Sequence, residues 1–461
     1  MRPREVSPLV TGTLAAIAVG CLSLSACTPG AASAPAVHNA PVAGVVTNPA
    51  RLGHITLHVL DYFTGGVDNT WMKDVIAGFE KKYPNITVQR SSLTWTDLMQ
   101  ELPLKLKSAS APDIVPPNNG WQSLGTLVQG GLVDNLSSYA AAYGWDRYVP
   151  SSIMREQEFS ANGRQMGTGA VFGMPVALSS MIETYYNRSL LSRLHLTVPT
   201  TFSQFSEDLA RAKQAGITPI AMGNLAQVGI TTPLYSVMNA LGSQSEISNL
   251  IYSQGPASLH SQASGFPQAV ATMQGWAAKG YLTPQFRGVA EADAAQQFVN
   301  GKALFHFDYS GSVPFAPGQS QGFGSFVMPR NDGRPPVATM SSATELCVSS
   351  KSAHVAAAAA FLNFAASPAA AQIAVNLGTD PMLAPSVTLP GSNPEFADEV
   401  TNARLVAAHN SSVPYLDWAT PTLLNILSIQ MQNLLAGKTT VSQVIGALQA
   451  NYAGFRATLA K

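Results

Sequence analysis

The chain has 461 residues, 46% of them apolar and only 11% charged, with 26 basic and 26 acidic side chains. Balanced charge without a basic stripe excludes a nucleic-acid partner, and the length calls for more than one core. Three cysteines are too few for a disulfide framework, and eight histidines scattered singly show no metal-ligand spacing, so neither metal nor cofactor is expected.

The N-terminus reads as an export signal. Arg2 and Arg4 precede an apolar stretch from Leu9 to Leu22 that is too short to span a bilayer comfortably. Leu24-Ser25-Ala26-Cys27 follows, and it resembles the lipobox of bacterial lipoproteins, in which a diacylated Cys becomes the new N-terminus. Residues 1–26 are therefore expected to be a lipoprotein signal peptide and Cys27 the lipidation site. That would export the protein and hold it at the outer face of the cell membrane. Residues 27–53 are rich in Ala, Pro, Val and Gly with almost no charge; they have too little to bury and read as a flexible tether. Cys21 leaves with the signal, and Cys347, between Leu346 and Val348, reads as a small core residue.

The folded part begins near His54. Ile55 to Leu60 alternates like a strand and ends at the loop Asp61-Tyr62-Phe63-Thr64. Met72, Val75, Ile76, Phe79 and Tyr83 share one helical face, capped by Asp68, Asn69 or Thr70 and stopped by Pro84. Ile86 to Val88 is the next strand. Thr94 to Ser108 is helical, with Pro103 expected to kink or shorten it. Pro112 to Val115 is a strand running into Asn118-Asn119-Gly120-Trp121. This βαβαβ opening predicts an α/β lobe. Later strands are expected over Ile182 to Tyr186, Ile217 to Met222, Ala303 to Phe307 and Leu346 to Ser349. Helices are expected from Thr200 to Gln214, Glu291 to Asn300 and Ala353 to Ala366, and from Thr420 onward. No repeat of solenoid length is present.

Local patterns along residues 55 to 455 resemble, in order, the extracellular solute-binding proteins of ABC sugar importers, the maltose-binding-protein-like group. The matching pieces are Phe79-Glu80-Lys81-Lys82-Tyr83-Pro84 with Ile86-Thr87-Val88; Pro112-Asp113-Ile114-Val115; Gly173-Met174-Pro175 with Tyr185-Tyr186-Asn187; Pro199-Thr200-Thr201-Phe202; and Phe298-Val299-Asn300-Gly301-Lys302-Ala303. Phe361-Leu362-Asn363-Phe364 ahead of Ser367-Pro368, and Gly437-Lys438-Thr439-Thr440, complete the series. Phe202 departs from the family's usual Trp. The resemblance implies a type II periplasmic-binding-protein-like fold of two α/β lobes with a hinged cleft. Crossovers are placed near Pro175-Val176, near Phe307-Asp308 and over Met340 to Thr344. Residues 54–175 plus 308–342 then form lobe I, and residues 176–307 plus 343–461 form lobe II. The resemblance also implies a substrate-binding lipoprotein, a monomer that hands a neutral mono- or oligosaccharide to membrane permease subunits.

A sugar site needs aromatic plates and hydrogen-bonding side chains on loops at the cleft. Asp61 and Tyr62, Asn118, Asn119 and Trp121, Asn224 and Gln227, Asp308 and Tyr309, and Tyr415, Asp417 and Trp418 match that need. Trp95, Glu183 and Glu345 are further candidates. For Trp121 and Trp418 a place in the core is the competing reading. These clusters contain no Lys or Arg, which favours a neutral ligand over a phosphodiester; a polyol is a further alternative. Asp308, Asp417, Glu183 and Glu345 could supply the carboxylate pair of a glycoside hydrolase, but no G-x-S-x-G elbow or H-E-x-x-H helix is present, and a binder rather than an enzyme is expected.

Overall fold

Apolar runs that end at Pro, Gly or Asp build the strands. In chain order these are β1 (Ile55–Asp61), β2 (Ile86–Ser92), β3 (Ile114–Val115), β4 (Glu158–Phe159), β5 (Ala170–Val171), β6 (Met174–Pro175) and β7 (Ser179–Asn187). Then come β8 (Thr218–Ala221), β9 (Ala303–Tyr309), β10 (Phe323–Phe326), β11 (Ala338–Ser342), β12 (Glu345–Val348) and β13 (Ser412–Val413). They are seen in a computed structural model that describes residues 41–147, 149–316, 318–379, 381–382, 387 and 394–460. The expected signal peptide and Cys27 lie outside the described residues.

Two sheets organise residues 54 onward. The first has the order β2-β1-β3-β12-β6, with β1 parallel to β2 and β3, and β12 antiparallel to β3 and β6. The second has the order β13-β11-β7-β9-β8, with β10 also paired to β7. β7 is its spine: its first residues pair with β11, and its later ones pair with β9 on one side and β10 on the other.

Helices cover both sheets for reasons visible in their spacing. Gly66–Lys82 buries Trp71, Met72, Val75 and Phe79 on one stripe, and Trp71 Nε1 donates to Ala370 O at 2.9 Å. It starts at Gly66, ahead of the expected caps, without a side-chain cap. Trp95–Lys107 is capped by Thr94, whose hydroxyl accepts from Asp97 N, and it buries Leu98, Leu102 and Leu106. Pro103 does not shorten it. That ring is exposed, so the carbonyl it frees can turn to water. Val355–Ala365 packs against β1 and β12 through an almost wholly buried alanine face, Pro368–Asn376 packs against Gly66–Lys82 through Ala370, Ala371 and Ala374, and Cys347 is fully buried in β12.

The expected division of the chain between lobes is corrected by the strand pairing. The chain leaves the first sheet after β6 and returns between β11 and β12, at Ala343-Thr344. It does not cross at Phe307-Asp308. β9 continues to Tyr309, paired with Ile182, and the chain then stays in the second sheet through β10 and β11. Residues 323–342 thus belong with the second sheet, and residues 345–376 with the first. The crossovers lie side by side. Val176 N donates to Thr344 O at 3.0 Å, Ala343 N to Leu178 O at 2.9 Å, and Met382 N to Ala177 O at 3.0 Å.

Candidate functional site

Where the crossovers meet, the loops of the two sheets enclose a cavity of about 330 Å³. Such a concave, mostly apolar pocket with a few convergent polar groups is the usual form of a small-molecule site.

From the first sheet, Tyr62 comes from the loop after β1, and its hydroxyl donates to Ala343 O at 2.7 Å. Trp95 opens its helix and stands 40% exposed at the rim. Asn118 and Asn119 follow β3. Asn119 is fully buried and held from three sides. Its Oδ1 accepts from Gln157 Nε2 at 2.8 Å, and its Nδ2 donates to Ser341 Oγ at 3.3 Å and Glu156 Oε2 at 3.4 Å. Glu345, the first residue of β12, completes this side.

From the second sheet come Tyr309, at the end of β9, and the segment Tyr415 to Trp418. Tyr415 is the hub of the aromatic wall: its ring lies 4.9 Å from Trp418, 6.2 Å from Tyr309 and 6.4 Å from Tyr235. Its hydroxyl donates to Ser180 O at 2.7 Å. Asp417 accepts from the Tyr235 hydroxyl at 2.7 Å. Burial without a cation pushes the Asp417 carboxyl up to about 6, although the Tyr235 hydroxyl pulls the other way. Burial likewise raises the Tyr62 and Tyr309 hydroxyls, so these phenols stay neutral donors. No lysine or arginine lines this cavity among the described residues.

The two sides touch at Gly120. This residue is in the left-handed region at φ 64°, and a Cβ placed there would come 2.3 Å from Trp418 Cβ. The glycine lets the loop after β3 pass against the Trp418 backbone.

Several sequence candidates are placed elsewhere. Asp61 is held by Arg90, with Nε to Oδ2 at 2.5 Å and Nη2 to Oδ1 at 3.0 Å, and by the Ser92 hydroxyl at 2.7 Å. It is consumed in fixing its own loop. Trp121 turns into the core, edge-on to Phe159 and Phe455. Glu183 is fully buried in β7, where Asn402 Nδ2 donates to it at 2.6 Å. Asn224 bonds Gln432 Oε1 at 2.7 Å and accepts from Ile230 N at 3.0 Å, which pins the loop after β8. Gln227 sits on that loop at φ 65° and is not among the residues lining the cavity. Asp308 faces a second cavity of about 310 Å³, beside His306 at 3.1 Å; Thr231, Val228 and Tyr309 separate the two cavities.

Sequence reasoning missed Tyr235, Ser180, Ser342 and Thr231, which also line the first cavity. Tyr235 lies within the helix Thr231–Leu241, which is buried almost throughout, so no loop signal marked it. Ser180 and Ser342 sit on strands beside the crossovers.

A family model described as bacterial extracellular solute-binding protein matches residues 64–372. A probable sugar-binding periplasmic protein of Rhizobium meliloti (strain 1021) is 29% identical over 146 residues, 30% of this chain and 33% of that protein. The multiple sugar-binding protein of Streptococcus mutans serotype c is 22% identical over 309 residues, 65% of this chain and 69% of that protein. The chain thus spans only a third of the length of the Rhizobium relative. The solved structure of a chitin oligosaccharide binding protein superposes with a TM-score of 0.71 at 17% identity, covering 87% of this chain and all of that one. That likeness shows the fold, a type II periplasmic-binding arrangement whose first sheet here runs β2-β1-β3-β12-β6. With two thirds of its length under one family model and this fold around a cavity at the crossovers, the chain belongs to the bacterial extracellular solute-binding proteins.

Proposed function

We infer that this protein is the substrate receptor of an ABC importer, a monomer that captures a carbohydrate in the cavity at the crossovers and delivers it to permease subunits in the membrane. The observation that carries this reading is the lining itself. Tyr62, Trp95, Tyr309, Tyr415 and Trp418 supply aromatic rings, while Asn118 and Asp417 supply hydrogen-bonding groups and Asn119 is held by its neighbours. Ring faces match the apolar faces of a pyranose, and the polar groups match its hydroxyls. The absence of lysine and arginine from the described lining argues against a phosphate-bearing ligand. The sugar-binding names of the Rhizobium and Streptococcus relatives support the same reading.

Glu345 and Asp417 face one cavity, as the paired carboxyls of a glycosidase would. Both are shielded by burial, and a carboxyl beside a hydroxyl-rich ligand is equally suited to holding it. The protein therefore binds its sugar without cleaving it. A lipid on Cys27 keeps the receptor near its transporter by raising its effective concentration there. Of the expected tether, residues 41–53 are instead packed on the folded part, with Val42 N donating to Asn135 O at 3.3 Å and Asn85 Nδ2 to Leu52 O at 2.9 Å, and the rest lies outside the described residues.

A thermal-shift and calorimetric screen of mono-, di- and trisaccharides against the whole protein tests the reading. At least one sugar is expected to raise the melting midpoint. A flat response to every sugar, with a shift from an anionic solute, overturns it, as does release of shorter products from a bound oligosaccharide.

A further inference from the structure

The floor of the first cavity is acidic, and no lysine or arginine lines it among the described residues. Glu345 lines it while only 2% exposed, and its Oε1 has no hydrogen-bond partner among the described residues. Behind Glu345 lies Glu156, equally buried, whose Oε2 accepts from the Ser341 hydroxyl at 2.5 Å. Burial is the largest cause holding both carboxyls well above the usual carboxylate range, and the Glu345 charge adds to it at Glu156. Asp417 lines the same cavity from the second sheet.

A buried acceptor without a donor is costly, and a buried acid without a cation keeps its proton until a positive group arrives. A sugar hydroxyl would satisfy the Glu345 Oε1 lone pair, but it gives the carboxyl nothing that favours ionisation. A protonated amine supplies donors and positive charge together. The walls favour the same group, because Tyr62, Tyr309, Tyr415 and Trp418 surround the space with ring faces that attract cations. Carboxylate and ring faces around one cavity are the chemistry that recognises an ammonium ion.

We propose that Glu345 is an ammonium subsite of this cavity, so that the carbohydrate taken there is an amino sugar with a free amine. This rests on the carbohydrate reading above and narrows it. The Glu345 carboxyl accepts from the ammonium, which favours its ionised form, Glu156 stands behind it, and the aromatic wall covers the rest of the ring.

The test compares matched pairs by isothermal titration and thermal shift: glucose with glucosamine, galactose with galactosamine, and cellobiose with its diamino counterpart. The amine is expected to bind about tenfold or more tightly than its neutral partner, the size of one hydrogen bond to a charged group. In Glu345→Gln that preference is expected to fall to about threefold or less, because Gln keeps the shape and loses the charge. Its ligand-free melting midpoint is expected at or above that of the unmodified protein, since a buried acid has been removed. The comparison within the unmodified protein needs no variant. Neutral sugars binding as tightly as their amines overturn the ammonium subsite and leave the carbohydrate reading standing. A preference that survives Glu345→Gln overturns the assignment to Glu345. Silence from every pair, neutral and amine alike, overturns both.

Discussion

Two loops of this molecule present an aspartate beside an aromatic residue, and they use the pair differently. In Asp61-Tyr62, after β1, the carboxylate is clasped by Arg90 and Ser92, and only the tyrosine faces the cavity. In Asp417-Trp418, in the second half of the chain, both residues face it, and the carboxyl has the Tyr235 hydroxyl in place of a cation. The difference lies in what the neighbouring strand offers. β2 brings Arg90 alongside β1, with Val59 paired to it in register, whereas no basic side chain among the described residues lines the cavity beside Asp417. An acidic loop residue becomes structural when a cation is built in next to it. It stays available to a ligand when none is.

The comparison can be broken most forcefully at Asp61. Asp61→Ala strands the largely buried Arg90 guanidinium, and a loss of about 3–5 kcal/mol in unfolding free energy is expected from denaturant titration. A loss below about 1 kcal/mol would mean that the pair behaves like an exposed one.

Asp417 should respond with the opposite sign. Its folded carboxyl titrates at about 6, above the 3.8 of an ordinary aspartate, so the folded state holds the proton more tightly. Stability from this group is greatest at acid pH and falls as pH rises from about 4 through 6, by up to about 3 kcal/mol. Asp417→Asn should remove that slope and leave the protein more stable than its parent at pH 7.5. Melting curves of the two proteins between pH 4 and 8 give the difference directly, and parallel curves would contradict it.

Trp418 and Trp121 sharpen the comparison further. Trp418→Ala is expected to weaken sugar binding by about 1–2 kcal/mol, read by titration calorimetry, because a ring on the cavity wall is lost. Trp121→Phe, a change in the core, should lower the melting midpoint without altering affinity. The smallest effect belongs to Tyr62→Phe. Loss of the hydrogen bond to Ala343 O should cost about 0.5–1.5 kcal/mol of stability by denaturant titration.

Much of the fold was legible because apolar runs here are short and sharply punctuated. The stripe Met72, Val75 and Phe79, stopped at Pro84, and the extended run Ile55 to Leu60 are local signals, and the structure follows them. The division between sheets was not legible. It depends on whether β9 continues past Phe307, and its partner Ile182 lies far away in sequence. Among the site candidates, Tyr62, Asn119, Tyr309 and Trp418 follow strand ends or loops and do line the cavity. Trp121 stood in an equally promising loop, but the turn at Gly120 sends it inward. Tyr235 could not have been found, because its contacts with Asp417 and Tyr415, 182 and 180 positions away, bring it to the cavity.

The adjoining crossovers at Val176–Leu178 and Ala343-Thr344 make the cavity unequal in a mechanical sense. In a rotation about a line through them, a group travels in proportion to its distance from that line. Ser342, Ala343 and Glu345 sit at or beside the crossover and would keep nearly constant positions. Trp95 and Val228, the exposed residues of the lining, belong to neither crossover and would travel with the elements that carry them. Chemical selection and retention are then carried by different residues. The stationary floor sets which functional group is admitted and therefore the rate of productive encounter. The travelling rim sets the residence time, so substitutions at Trp95 or Val228 should act on dissociation before they act on specificity.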